Sequence, residues 1–234
     1  MSTVAAPTRL TPIYAIARGL EAEFVEHHGW RVAAVYSTME AELAQARSAV
    51  ALADETPRGK IRIEGDGAEA VLETAFAPGA LEVGAGAAVE DGHLYRLRPD
   101  LFYLSTGPGA EEAAREEAAA AAESAGILVS ATDITHGCAE IRVVGPAGPG
   151  LMSKVCGLDF DPAAFPNGGA RQSSVARTAQ TIIRRDIGSL PAYSLLGARS
   201  LGAYLWTTLA EAGGEWGLAP LGRNALEELE KAGG

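Results

Sequence analysis

An α+β fold built from two related lobes is the architecture this sequence predicts, and three observations predict it. Residues 54–72 read DETPRGKIRIEGDGAEAVL and residues 133–151 read DITHGCAEIRVVGPAGPGL. A D-x-T start, an x-x-I-R-[IV]-x-G strand and a small-residue helix thus recur about 80 residues apart. The elements that follow each copy recur in the same order: strand, helix, strand pair, helix. Strands that arrive as hairpins between helices make antiparallel sheets covered by helices, and the order resembles a doubled ferredoxin-like unit. The expected organisation is a helix, strand and helix over 1–48, a first α+β lobe over 49–126, and a second lobe with a C-terminal helix over 127–234.

The elements can be justified in turn. Thr11-Pro12 places Pro at a first helical position, and Ile13, Ile16, Leu20 and Phe24 recur at spacings of three and four, which predicts one apolar-faced helix through Phe24. His27-His28 then precede a glycine and read as a C-cap or an exposed turn. Residues 31–37 (RVAAVYS) predict a short strand, and Ser37 with Glu40 predicts a capping box opening a helix through Met39, Leu43 and Ala46. In both copies of the repeat the Ile-Arg pair, Ile61-Arg62 and Ile141-Arg142, predicts an apolar side chain inward and a charged one outward. Gly65 and Gly145 close those strands where the backbone turns into a helix.

Downstream of the first copy, residues 93–97 and 101–105 flank Arg98-Pro99-Asp100 as a hairpin, and a long Ala/Glu helix over 109–124 stops at Gly126. Downstream of the second, residues 179–185 and 192–196 flank a turn holding Gly188 and Pro191. A helix over 200–212 stops at Gly213-Gly214, and a last helix runs over 224–231. Val83 to Gly86 lacks the third glycine and the helix signal of a phosphate-cradling loop, so it reads as a connection. Asn167-Gly168-Gly169 reads as a turn.

Composition narrows the function classes. Of 234 residues 46 are Ala, whereas Phe, Trp and Tyr total 14, so the core has few large anchors. The net charge of -11 opposes sequence-independent attraction to nucleic acid or anionic membrane. The negative charge sits in the first half: residues 1–125 carry 10 basic and 20 acidic side chains, against 9 and 10 afterwards. Cys138 and Cys156 lack metal-ligand spacing and read as two reduced thiols of a cytoplasmic protein. The start has no secretory pattern, and no run of 18 apolar residues occurs. His27, His28, His93 and His136 show no metal motif and read as structural. No G-x-S-x-G elbow, P-loop or H-E-x-x-H is present.

Two features could carry chemistry. Glu90-Asp91 precedes a strand, where paired carboxylates serve acid-base or amine-binding work in a cleft and otherwise make a solvated turn. The span 171–199 holds five Arg and a single acid, Asp186, a local excess that suits an anionic ligand or the acidic face of a partner.

The segments around 50–65 and 132–145, the LDFDPAAFPNGG run from Leu158 and the AYLWTTLAEAGGEWGLAPLGRNALE run from Ala203 resemble the aminomethyltransferase folate-binding superfamily. That superfamily includes the glycine cleavage T-protein and the gamma subunit of heterotetrameric sarcosine oxidase. The likeness covers roughly residues 30 to 228. LDFDPAAFP, RQSSVART and the R-S-x-x-x-Y-L-W phrase at 199–206 resemble the gamma subunit most. The resemblance implies related α+β lobes around a folate channel, usually followed by a C-terminal barrel. This chain stops near where the barrel would begin, which favours the gamma subunit or a truncated relative.

The resemblance also implies site residues. Folate-using members carry paired Asp before a strand, and Glu90-Asp91 is the nearest match, with Glu90 in the critical place. They carry a T-G-E-x-G turn whose Glu bonds the pterin twice, and here Ser189 stands in that place. A hydroxyl cannot replace a bidentate carboxylate, and an unpaired buried donor costs about 1 to 3 kcal/mol. Tetrahydrofolate is therefore the implied cofactor with its pterin acceptor lost, and flavin and NAD are expected only on partner chains. The resulting expectation is a non-catalytic accessory subunit of a sarcosine oxidase-like flavoprotein complex. The alternative is a stand-alone tetrahydrofolate-dependent aminomethyltransferase or demethylase, with Glu90 or Asp91 at the reactive amine and Arg184 or Arg185 at the folate tail. A folate-sensing or repair-associated protein ranks last, because neither cysteine sits in a reactive motif.

Overall fold

The computed structural model describes residues 8–233. The chain opens with strand β1 (Arg9–Leu10), helix α1 (Tyr14–Gly19), strands β2 (Glu23–His27) and β3 (Trp30–Val35), and helix α2 (Met39–Ser48). The first copy of the repeat contributes β4 (Ala51–Asp54), β5 (Gly59–Glu64), α3 (Ala68–Phe76), β6 (Gly86–Val89), β7 (Gly92–Arg98), β8 (Leu101–Thr106) and α4 (Glu111–Ala125). The second contributes β9 (Ser130–Asp133), β10 (Cys138–Val144), α5 (Gly148–Val155), β11 (Ala170–Val175), β12 (Thr178–Arg184), β13 (Ala192–Ala198) and α6 (Gly202–Ala212). Strand β14 (Ala219–Leu221) and helix α7 (Arg223–Gly233) complete it.

Five strands form an antiparallel sheet in the order β6-β7-β8-β5-β9, which without β6 is the ferredoxin-like order. A second sheet runs β11-β12-β13-β10-β4-β14, where β4 enters between β10 and β14. The predicted α+β architecture of doubled, helix-covered sheets is what the chain adopts. The strand leading into each copy crosses to the other sheet: β4 pairs with β10 at Asp54↔Ile141, and β9 pairs with β5 at Ile61↔Asp133.

Each sheet buries one face against its helices. Ile61, Ile63, Leu94, Phe102 and Leu104 pack on α3 and on the small stripe Ala114 and Ala118 of α4. Ile141, Val143, Ile182, Tyr193 and Leu195 pack on Leu151 and Met152 of α5 and on Leu205, Trp206 and Leu209 of α6. The opposite faces meet each other through Tyr95 and Tyr103 on one side and Ala170, Ile183 and Leu196 on the other. Helix α7 covers β4 with Ala225, Leu226 and Leu229. Gly65 (φ 150°) and Gly145 (φ 129°) make the two strand-to-helix turns, and a Cβ on them would approach Leu128 O to 2.6 Å and Ala49 O to 2.5 Å.

Four expectations require correction. Helix α1 ends at Gly19 and Phe24 lies on β2, because the chain turns at Glu21 (φ 58°) and brings the Phe24 ring back onto Tyr14 at 5.0 Å. Ile13 and Ile16 pack on the core while Leu20 is exposed, so the apolar spacing did not mark one helical face. The C-cap alternative for His27-His28 does not hold, because His27 is the last residue of β2, and the exposed turn does, because His28 (φ 47°) and Gly29 (φ 76°) form the two-residue β2–β3 hairpin turn. The N-cap of α2 is Thr38, which accepts from Ala41 N at 3.2 Å, rather than Ser37. Finally, Arg62 points outward as expected, but Arg142 is 1% exposed and points into the seam between the sheets.

Candidate functional site

A cluster of buried charged groups, Glu55, Lys60, Glu140 and Arg142, is brought together between the two sheets. The D-x-T start of each repeat explains how. Thr56 N donates to Asp54 Oδ1 (3.1 Å) and Thr135 N to Asp133 Oδ1 (2.8 Å), so each Asp caps its own turn. Thr56 Oγ1 then accepts from Glu140 N (3.3 Å), and Thr135 Oγ1 accepts from Lys60 N (2.9 Å). Glu55 N donates to Glu140 O (3.0 Å) and Ile134 N to Lys60 O (2.9 Å). The two copies therefore clamp one another by the same four bonds exchanged, about a pseudo-twofold axis.

Lys60 and Glu140 occupy equivalent positions on this axis and pair at 3.1 Å with side chains 0% and 3% exposed. Lys60 Nζ also donates to Thr56 O (3.1 Å) and Arg58 O (2.8 Å), whereas Glu140 Oε2 makes no hydrogen bond among the described residues, so the pair itself is held by charge alone. Beside it, Arg142 Nη1 bonds Glu55 Oε2 (3.2 Å) and Glu230 Oε1 (2.5 Å), and Nη2 bonds Arg185 O (3.0 Å). Arg58 reaches Ser105 Oγ and Glu55 Oε1 at 3.3 and 3.5 Å. Burial works against the Glu55 carboxylate, but Arg142, Arg58, Arg185 and Lys60 outweigh it and hold its pKa at about 2. Burial, then Arg185, Arg58 and Arg142, depress His93 to about 4. Burial, then Arg142 and Arg58, lower Arg185 from its ordinary value.

The five sequence-predicted residues do not converge. Glu90 and Asp91 are exposed at the β6–β7 turn. They line a 230 Å³ cleft with Phe76 and Ala77 at the end of α3, Leu104 and Thr106 of β8, and Ala110 and Ala113 at the start of α4. Arg184 is occupied by Asp186 (3.0 and 2.9 Å) and Phe165 O (2.7 Å). Ser189 is exposed at the tip of a tight turn closed by Ile187 and Leu190, whose backbones bond each other at 2.9 and 3.0 Å. Only Arg185 joins the seam, with Nη1 at 3.3 Å from His93 Nδ1. Glu55, Arg58, Lys60, Glu140, Arg142 and Glu230 were passed over by sequence reasoning. The repeat carried a signal for Lys60, Glu140 and Arg142 alone, since in its two strands only Lys60/Glu140 and Arg62/Arg142 are charged at matching places.

These observations also test the cofactor that the resemblance implies. Besides the charge cluster, the seam holds a 170 Å³ space lined by Tyr103, Cys138, Thr181 and Leu196 among others. Pockets that enclose ligands of drug size run to about 300–1,000 Å³. With Ser189 at an exposed tip and Arg184 already paired, the five residues do not form a pterin site. Cys138 and Cys156 are free thiols, and burial raises the pKa of Cys138. No described helix is long and apolar enough to cross a membrane.

A duplicated α+β protein with its lobes locked across a buried ionic seam is the class that the fold and the site define. The chain belongs to the family described as the GCVT N-terminal domain, whose model matches residues 13–232. It is 27% identical to an aminomethyltransferase of Saccharopolyspora erythraea over 97% of this chain and 64% of that protein. It is 25% identical to the sarcosine oxidase subunit alpha of Rhizobium meliloti over 95% of this chain and 25% of the relative. The chain thus spans less than two thirds of these proteins. Among solved structures, glycine cleavage system aminomethyltransferase T from Bartonella henselae superposes with a TM-score of 0.81 at 18% identity, covering 95% of this chain and 62% of that one. A chain of the heterotetrameric sarcosine oxidase of Corynebacterium sp. U-96 superposes with a TM-score of 0.66 at 20% identity, covering 88% and 95%.

Proposed function

We propose that this protein is an accessory subunit of a sarcosine oxidase-like, amine-oxidising flavoprotein complex in folate-linked one-carbon metabolism, with flavin and NAD carried by partner chains. The observation that carries the reading is the seam. Lys60–Glu140 and Arg142–Glu55 close the space between the lobes with the chain's own charges, and Tyr95 and Tyr103 pack on Ile183 and Leu196 beside them. Such a centre suits a scaffold that holds a shape for its neighbours. The match to a sarcosine oxidase subunit and the gamma-like phrases LDFDPAAFP and RQSSVART support it. A fold match covering 95% of a chain in a heterotetramer means that chains of this size occur in such assemblies.

The test is affinity purification of the tagged chain from its native cell, with absorbance at flavin wavelengths and identification of co-purifying chains. Stoichiometric flavoprotein partners are expected. A chain that purifies alone and binds tetrahydrofolate with micromolar affinity by calorimetry would overturn the reading.

The second reading is a stand-alone tetrahydrofolate-dependent aminomethyltransferase or demethylase. It is favoured by the alignment to an aminomethyltransferase over 97% of this chain. It places Glu90 or Asp91 at the reactive amine and Arg185 at the folate tail. Replacing Glu90 and Asp91 by Ala should then abolish turnover with the fold intact, and an unchanged rate would dispose of it.

A further inference from the structure

Arg185 is the least satisfied cation of the seam. Four basic side chains, Lys60, Arg58, Arg142 and Arg185, face three carboxylates, Glu55, Glu140 and Glu230. Glu230 bonds Arg142 at 2.5 Å and stands 3.7 Å from Arg185 Nη2, beyond hydrogen-bond distance. Among the described residues, the only hydrogen-bond partner of the Arg185 guanidinium is therefore His93 Nδ1 at 3.3 Å. Asp54, also buried in this region, does not supply the missing charge: its pKa is raised by burial and its carboxylate bonds the Thr11 and Thr56 side chains. A second unmet group lies alongside. Arg142 is 1% exposed and its Nε has no partner.

A mostly buried guanidinium with unused donors on a planar fork matches a carboxylate, whose two oxygens accept in parallel. Access is from solvent, because the Arg185 and Glu230 side chains are 21% and 36% exposed while Arg142 behind them is closed off. His93 Nδ1 accepts from Arg185 only while the ring is neutral, and on protonation it gives up that bond and becomes a second donor beside the same anion. We propose that Arg185 and His93, backed by Arg58 and Arg142, form a carboxylate-binding site at the mouth of the seam. It accepts either a free monocarboxylate or the carboxylate of a peptide's glutamyl side chain. The site shares Arg185 with the second reading, which puts a folate tail there, but it rests on the unmet donors of the seam; its test reads neither folate nor flavin, so a silent His93 titration and an unchanged rate in the Glu90, Asp91 variant are separate failures.

A bound carboxylate neutralises Arg185, the largest coulombic cause, after burial, of the low His93 pKa. The other groups that act on His93 are Arg58 and Arg142, with Tyr95 stacked at 6.4 Å. The experiment is an NMR titration of the His93 ring in the full-length protein, with acetate replacing chloride at constant ionic strength. A parallel arm uses the peptide acetyl-Ala-Glu-Ala-amide. The expected result is a saturable response to one probe or both, with the His93 pKa rising from about 4 toward its ordinary 6.5 and the His136 ring unaffected. Saturation by acetate alone assigns the site to free carboxylates, and displacement of acetate by the peptide assigns it to peptidyl ones. Arg185→Gln should abolish the response. Arg185→Lys, which keeps the charge and so guards against loss of the fold, should weaken binding about tenfold through one lost charge-assisted bond. Equal effects of acetate, peptide and chloride, or an Arg185→Gln protein that folds and still responds, would overturn the proposal.

Discussion

Lys60 Nζ and Glu140 Oε2 stand 3.1 Å apart where the two copies of the repeat face each other, each taking the place that its partner holds in the other copy. Removing both charges from water is expensive, and two carbonyls that accept from Lys60 offset part of that cost while Glu140 Oε2 goes without a hydrogen bond among the described residues. Its value therefore differs from the cost of breaking it.

Lys60→Met leaves Glu140 charged and unpaired in a closed seam, and should cost about 3–5 kcal/mol. The double replacement Lys60→Met, Glu140→Leu removes both charges and should recover most of that loss. Urea unfolding of the two single variants and the double variant measures the coupling. Singles within about 1 kcal/mol of the parent would mean that water reaches the axis and screens the charges.

Two acid transitions should be separable. Glu55 titrates at about 2 in the folded chain against an ordinary value of 4.5, so the unfolded chain binds the proton first. Its stabilisation is complete above about pH 4.5 and is lost as the pH falls through about 2. His93, with folded pKa about 4 against 6.5, gives the same sign in a higher window: stability declines as the pH falls from 6.5 to 4. His27, held at about 4 by burial, Arg223 and His28, adds to that upper window. Unfolding midpoints measured from pH 8 to pH 2 should show both declines. Glu55→Gln should flatten only the lower one and His93→Gln only the upper. A lower slope unchanged in Glu55→Gln would assign it to other carboxylates.

Where sequence and fold agree, local chemistry decides the backbone. Gly65 and Gly145 stand where a side chain would strike a carbonyl, Gly126 ends α4 in the left-handed region, and the D-x-T turns cap themselves. The repeat was legible because both copies need the same turn. The site was not. Arg62 and Arg142 hold equivalent positions in matching strands, yet one faces solvent and the other the seam, since only the second meets carboxylates from Glu55 and Glu230. Those partners lie 87 and 88 residues away in the chain, and no periodicity reports them. Phe24 misled because its four-residue spacing from Leu20 runs across the turn at Glu21, after α1 has ended.

The β11–β12 hairpin holds a reserve of strain. Val175 pairs with Thr178, so Ala176 and Arg177 form a two-residue turn, and both adopt positive φ, 48° and 63°. Turns of this kind favour Asn-Gly, because a Cβ in the left-handed region costs about 1–2 kcal/mol. Ala176 is held in place by bonds from its N to Val155 O (2.8 Å) and to its O from Tyr204 Oη (3.1 Å), while Arg177 is exposed. Arg177→Gly should therefore relieve strain without loss of contacts. Part of the relief is offset by the greater freedom of glycine in the unfolded chain, about 0.5–1 kcal/mol. The net stabilisation expected is about 0.5–1 kcal/mol, a rise of about 1–4 °C in Tm for a chain of this size. Arg177→Ala keeps the Cβ and should leave Tm unchanged. Differential scanning calorimetry of both variants decides the matter, and a lower Tm for Arg177→Gly would show that the arginine side chain, not the backbone, sets the conformation of the turn.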